Sequence, residues 1–343
     1  MAPTKKVLRV KESGIPSEEG SKWKYFHIFI TICGPLFLIY LNLRCEKNQC
    51  VLFQLPLVVP THVGAYFSTT ATLMLFGFFA LVFLFSLSAA HSSKKEKSFP
   101  SAFYHGSCTT LTLAQVELKY FFYVHVGLVA LALLDLLVLL DFALKHTVTA
   151  PLAFLATTQY LLVAHTLLYE SFLMKKPFID SEKLGFFWLL KVLLYLPFFH
   201  SLPVLYTSVT EIVLPKPAML ADCVLFLFGF IIYTSSIHQK ENFAVDPNAY
   251  RSLKSITVPG RRLLISGYWG IVQKPDYLGY MIIWLSWIIA CGLSGLSLVV
   301  LTIIYITMFV WLHQAAQVKK TKYHSGWTRY INVVPKKVIP YVY

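Results

Sequence analysis

The residues best suited to chemistry lie in Leu263–Gly279, LLISGYWGIVQKPDYLG, and in a few ionisable side chains set inside apolar runs. In the first stretch Gly267 and Gly270 bracket the aromatic pair Tyr268–Trp269. Glycines let a backbone turn sharply or approach a ligand closely, and neighbouring aromatics offer a flat surface for a ring. Pro275 favours an extended residue before it and opens the helix that follows. The stretch joins a polar, basic loop, Gln239–Arg262, to a hydrophobic segment beginning near Tyr277.

Asp135 and Asp141 fall in or beside one apolar run, and an acid in lipid is costly unless it faces a polar interior or a partner. Six residues apart, they do not share a helix face, so Asp135 is the more informative of the two. His165, Lys191 and His200 occupy two later runs and are expected to face the same interior as hydrogen-bond partners between helices. None of the 11 histidines is spaced HxxxH, and no metal site is expected. Nucleophile-elbow, Walker and GxGxxG patterns are not found.

The elements that must position these residues are membrane spans. Of the 343 residues 57% are hydrophobic and 13% charged, with mean hydropathy +0.62, a balance that excludes a soluble fold. The net charge of +14 sits between apolar segments, where it sets topology rather than nucleic-acid binding. Apolar runs predict spans over Tyr25–Asn42, Val63–Leu87, Tyr120–Phe142, Pro151–Leu173, Leu184–Tyr206 and Met219–Ile237. Tyr277–Leu312 is long enough for two more, turning near Gly292–Gly295. The expectation is an all-α integral membrane protein of about eight transmembrane helices: a short basic tail, residues 1–24, then one multi-pass domain, residues 25–343.

An even count puts both termini on one side. The tail, the Lys94–Lys97 loop, the Lys175–Lys183 loop, the Lys240–Arg262 loop and the C-terminal tail are all basic and share it, which predicts cytoplasmic or nucleoplasmic termini. After Asp276 there is no acid, while Lys319, Lys320, Lys322, Arg329, Lys336 and Lys337 remain, a surface suited to anionic lipid. The six cysteines show no CxxC spacing; free thiols are expected, with Cys45–Cys50 the alternative pairing. The start of the chain is polar and carries no cleavable signal pattern.

The last hundred residues resemble the Δ14-sterol reductase and lamin B receptor family. The matching motifs are QKENF (Gln239–Phe243), LKSI (Leu253–Ile256), LLISGYWG (Leu263–Gly270), KPDYLG (Lys274–Gly279), WTRY (Trp327–Tyr330) and VIPYVY (Val338–Tyr343). A weaker match covers VELKYFF, Val116–Phe122. The resemblance implies a sterol reductase-like C-terminal half, a cofactor region over residues 239–343, and NADPH-dependent reduction of the sterol C14=C15 bond by protonation and hydride transfer. It places Lys240, Trp269, Lys274, Asp276, Tyr277 and Gln314 at cofactor-binding positions, and leaves Tyr277, Asp135 and Tyr280 as proton-donor candidates by residue type.

Several positions depart from the family pattern. Gln273 and Gln314 stand where the family has arginines that pair bidentately with phosphate, Asp276 replaces an amide, and Tyr280 replaces an aspartate. Two readings follow from the resemblance. One is a Δ14-sterol reductase-type enzyme of the endoplasmic reticulum with altered cofactor contacts, for which reduction at C7 or C24 stays open. The other is a catalytically silent, lamin B receptor-like anchor or sterol-binding protein of the nuclear envelope or endoplasmic reticulum. Sterol and membrane lipid are the expected partners. No direct nucleic-acid contact is expected, and lamin or chromatin contact belongs to the second reading alone.

Overall fold

The computed structural model describes residues 77, 79–87, 99–106, 112–113, 116–145, 147–169, 183–210, 212–293 and 295–340. The basic tail, the first span, Cys45, Cys50 and the Lys94–Lys97 loop lie outside the described residues. Residues 79–87, the end of the second expected span, are helical, and Val82 packs against Leu184 and Trp188.

Five described helices are long and apolar enough to cross a membrane, each close to an expected span. They follow a short helix, α1 (Phe99–His105). The first, α2 (Leu118–Leu144), holds a wide π-helical turn at Phe122–Leu128, and α3 is Ala150–Leu168. Helix α4 (Phe186–Ser208) has a second such turn at Lys191–Tyr195. Helix α5 (Lys216–Val245) follows, with proline in its first turn, where the missing N–H costs nothing. A four-residue helix, α6 (Tyr268–Ile271), leads into α7 (Pro275–Ala290), which also opens on proline. The last long helix is α8 (Gly295–Tyr323), followed by α9 (Ser325–Val333).

The expectation of eight crossings is met only in part. The apolar run after Tyr277 does split in two, at Cys291–Gly292, but α7 has 16 residues. At 1.5 Å per residue it spans roughly 24 Å, less than the ~30 Å of a hydrocarbon core. It is instead largely enclosed by its neighbours, with Ile283, Trp284, Ser286, Trp287 and Ala290 fully buried. Nor is the chain wholly helical. Ser255–Val258 (β3) and Arg261–Leu264 (β4) pair antiparallel across Pro259–Gly260, after a smaller pairing of Thr112–Leu113 (β1) with Val116–Glu117 (β2). Proline followed by a glycine at φ +77° is the chemistry of a type II turn, and the β-branched Ile256, Thr257 and Val258 before it favour a strand.

The sixth span was expected to end at Ile237, with a loop from Gln239. The helix runs on to Val245, so Gln239, Lys240 and Glu241 project from helical turns. These are good helix formers, and no breaker comes before Pro247, where the Asp246 carboxylate accepts from Asn248 N at 2.9 Å and begins a turn. Thirty residues make roughly 45 Å of helix, so the polar end overshoots an apolar slab.

The core lies among α3, α4, α5 and α7, where Leu152, Leu155, Val204, Phe226, Ile283, Trp284 and Trp287 interlock. In lipid such packing depends on close backbone approach rather than on expulsion of water. Gly229 of α5 and Gly279 of α7 provide it. A Cβ on Gly279 would meet the backbone of Tyr233 and Gly229, and one on Gly229 would meet Ile282 and the Gly279 carbonyl.

Candidate functional site

Two groups of polar side chains are held by this frame. The first is inside the bundle. His200 on α4 and Tyr280 on α7 are joined by a 2.6 Å contact between imidazole Nε2 and the phenol oxygen. His200 Nδ1 lies 3.0 Å from the Leu196 carbonyl, one turn back on its own helix. A carbonyl only accepts, so Nδ1 carries the hydrogen, and in the neutral ring Nε2 is the acceptor of the Tyr280 hydroxyl. Gln159 of α3 donates its amide to the His200 carbonyl at 2.7 Å. Trp284 stands edge-on to both rings, 5.3 Å from His200 and 6.4 Å from Tyr280.

His200 and Tyr280 are partly buried, while Gln159 and Trp284 behind them are sealed. Gln159 Oε1 has no hydrogen-bond partner among the described residues, a state in which buried polar atoms are seldom left. Tyr233 of α5 stands 5.9 Å from Tyr280, ring to ring, and 6.2 Å from His165. His165 Nε2 in turn lies 3.2 Å from His238 Nε2. One aromatic and imidazole series therefore runs from the bundle interior to the polar end of α5.

The second group is at that polar end. Gly267, at φ +63°, turns the chain into α6, and Gln239 Oε1 accepts from Tyr268 N at 3.0 Å. Trp269 is buried: its Nε1 donates to the Ser236 carbonyl at 2.8 Å, and Lys240 Nζ covers its face at 5.4 Å. Lys240 also pairs with Glu241 at 3.1 Å. Lys274 Nζ sits 5.2 Å over the Tyr277 ring. Gln273 is buried, and its amide donates to the Val334 carbonyl at 2.9 Å. Backbone bonds from Gln273 N to Lys336 O (2.8 Å) and Lys274 N to Lys337 O (3.0 Å) draw the C-terminal segment alongside. Tyr330 lies in the same lobe, and burial first, then the charge of Asp276, pushes its phenol above the ordinary range.

The expected site residues are thus only partly united. Lys240 with Trp269, and Lys274 with Tyr277, form two cation–ring pairs at the polar end of the bundle. Asp276 is in the first turn of α7, with one carboxylate oxygen buried and without a hydrogen-bond partner among the described residues. Gln314 lies on α8. Asp135 is not brought to Tyr277. It is buried on α2 near Tyr160 of α3, whose hydroxyl donates to the Ala132 carbonyl, whereas Tyr277 packs with Met281, Leu312 and Val338. His165, Lys191 and His200 do not meet either: His165 faces His238, His200 faces Tyr280, and Lys191 Nζ lies over Phe187. Sequence reasoning missed Gln159, Trp284, His238 and Asp222, an acid buried on α5. A glutamine and an aspartate inside apolar runs were the signals available.

A dinucleotide's phosphates need cations or amides. Lys240 and Lys274 fit that need as point charges, with Lys336 and Lys337 brought near by the tail. Gln273 does not add to them, because its amide is committed to Val334. Among the described residues no group of three or more His, Cys, Asp or Glu could hold a metal.

A bundle of long apolar helices around a sealed aromatic core, with a basic module at one end, defines a multi-pass membrane protein. The chain belongs to the ergosterol biosynthesis ERG4/ERG24 family, whose model matches residues 7–343. It is 30% identical over 286 residues to the Delta(14)-sterol reductase TM7SF2 of Mus musculus, covering 81% of this chain and 68% of that one. To the Delta(14)-sterol reductase of Arabidopsis thaliana it is 28% identical over 229 residues, 66% of this chain and 62% of the relative. To the Delta(14)-sterol reductase LBR of Gallus gallus it is 30% identical over 244 residues, 68% of this chain and 38% of the relative. The match therefore spans less than two thirds of the plant and chicken proteins. It is a sterol reductase-family membrane protein.

Proposed function

We infer that this chain reduces a ring double bond of a sterol, C14=C15, using NADPH, in the endoplasmic reticulum or nuclear envelope membrane. The family relationship over residues 7–343, to relatives named as Delta(14)-sterol reductases, carries the reading. The geometry adds what the chemistry needs. Protonating an alkene requires an acid in a dry, apolar setting, and the His200–Tyr280 pair sits among Trp284, Tyr233 and Gln159. Lys240 and Lys274 would hold the dinucleotide phosphates; bound, NADPH supplies the hydride. With the short, enclosed α7 counted as a crossing, eight crossings with cytoplasmic termini complete the proposed topology, and anionic lipid is the proposed partner of the basic C-terminal tail.

A second reading, a silent sterol-binding or anchoring domain, is favoured by Gln273, whose side chain braces the tail instead of meeting a phosphate. One experiment separates the two. The full-length protein in lipid nanodiscs is given an 8,14-diene sterol and NADPH deuterated at the transferable hydride, and products are followed by mass spectrometry. Deuterium at C14 of a reduced product supports the enzyme. Sterol that binds saturably and stays unreduced supports the silent reading, and absence of both sinks the sterol assignment.

A further inference from the structure

We propose that Tyr280 is the catalytic acid of this chain and that His200 is the positioning residue that holds and refills its proton. The proposal rests on the reductase reading above. Because Leu196 O fixes the hydrogen on Nδ1, the resting pair has the Tyr280 hydroxyl donating to Nε2. A proton added to Nε2 reverses that bond. The imidazolium then donates to the phenol oxygen, which frees the Tyr280 O–H to be donated to a sterol.

The step balances as follows. The π electrons of C14=C15 form a C–H bond at C15 as the Tyr280 O–H breaks, leaving a cation at C14. The Nε2 proton moves to the phenolate oxygen, so Tyr280 is restored and His200 becomes neutral. The cation is closed by hydride from a dihydronicotinamide, which is oxidised to nicotinamide, or by loss of a proton from C15. Trp284 and Tyr233 place aromatic rings next to Tyr280. Gln159 anchors the His200 backbone, so the imidazole is held from two sides. Ring contacts through Tyr233 lead from the pair toward His165 and His238, which are in hydrogen-bond contact near the polar end of α5.

Reversible protonation gives a test that needs no reductant. Full-length protein in nanodiscs is incubated with an 8,14-diene sterol in D2O without NADPH, and deuterium at C15 is read by NMR alongside sterol affinity. The unmodified protein is expected to exchange C15. Tyr280→Phe and His200→Phe should each slow exchange by about 100-fold or more, the scale of general acid catalysis. Their sterol affinity should stay within about threefold, under 1 kcal/mol. A parallel loss of affinity and exchange would mean that His200 is only structural and would overturn its role. Exchange persisting in Tyr280→Phe, or sterol bound by the unmodified protein without any exchange, would overturn the assignment of the acid. Failure of the unmodified protein to bind sterol would sink the reductase reading and this proposal with it.

Discussion

Replacing Gly279 by alanine should loosen the seam on which the interior pair depends. An added Cβ would lie 2.7 Å from the Gly229 carbonyl oxygen and 2.8 Å from Tyr233 Cα, with the Tyr233 amide nitrogen nearer still. Ordinary carbon contacts are about 3.5–4.0 Å, so α5 and α7 must separate by roughly an ångström. All three obstacles are helix backbone, so no rotamer change relieves them. Overpacking of this kind costs about 1–3 kcal/mol. For a mid-sized domain each kcal/mol moves a melting midpoint by about 2–4 °C, and a fall on the order of 5 °C is expected. Because Tyr233 and Tyr280 flank the contact, sterol affinity should fall as well. Gly295→Ala is the control, since a Cβ there meets nothing within 4 Å. Melting of both variants in one detergent, followed by tryptophan fluorescence, decides the matter. Equal midpoints would refute the close approach of α5 and α7.

Three further outcomes follow from the polar end. Gln273→Ala leaves the buried Val334 carbonyl without its 2.9 Å donor, which should cost about 1–3 kcal/mol and expose the chain after Val333 to limited proteolysis. Asp276→Asn removes a negative charge beside Lys274 and should tighten NADPH binding about three- to tenfold in fluorescence titration, ~1 kcal/mol; unchanged affinity would place the phosphates elsewhere. Tyr330 has its phenol raised above its ordinary value of 10.0, chiefly by burial, so its neutral form is the one the fold favours. Its contribution is therefore complete below that value and is lost as pH rises through the folded one. The C-terminal lobe should weaken above pH ~10, and Tyr330→Phe should flatten that dependence in pH-dependent melting.

Much of the frame was legible in the residues. Apolar runs located the first three of the five long helices to within about five positions and the cores of the other two, Gly292 marked the turn between α7 and α8, and Gly267 marked the turn into Tyr268–Trp269. These are local signals of period, length and backbone freedom. The hairpin was not read, although Pro259–Gly260 carried its turn chemistry, because basic residues there read as a membrane-side loop. The end of α5 was misplaced for a related reason: polarity was taken for irregularity, and Gln239, Lys240 and Glu241 are polar but helical.

The site itself was less legible because its contacts join distant positions. His200 and Tyr280 were each visible as unusual residues, yet nothing in their own segments pairs residues 80 apart. The same holds for Gln273, whose amide reaches Val334, 61 residues on. Read from its motif, Gln273 is a lost phosphate contact. In the fold its side chain braces the tail at Val334, while the backbone of Gln273 and Lys274 pairs with that of Lys336 and Lys337. Tyr280 follows the same logic. Its own segment shows only a phenol in an apolar run, and the fold joins that phenol to the His200 imidazole.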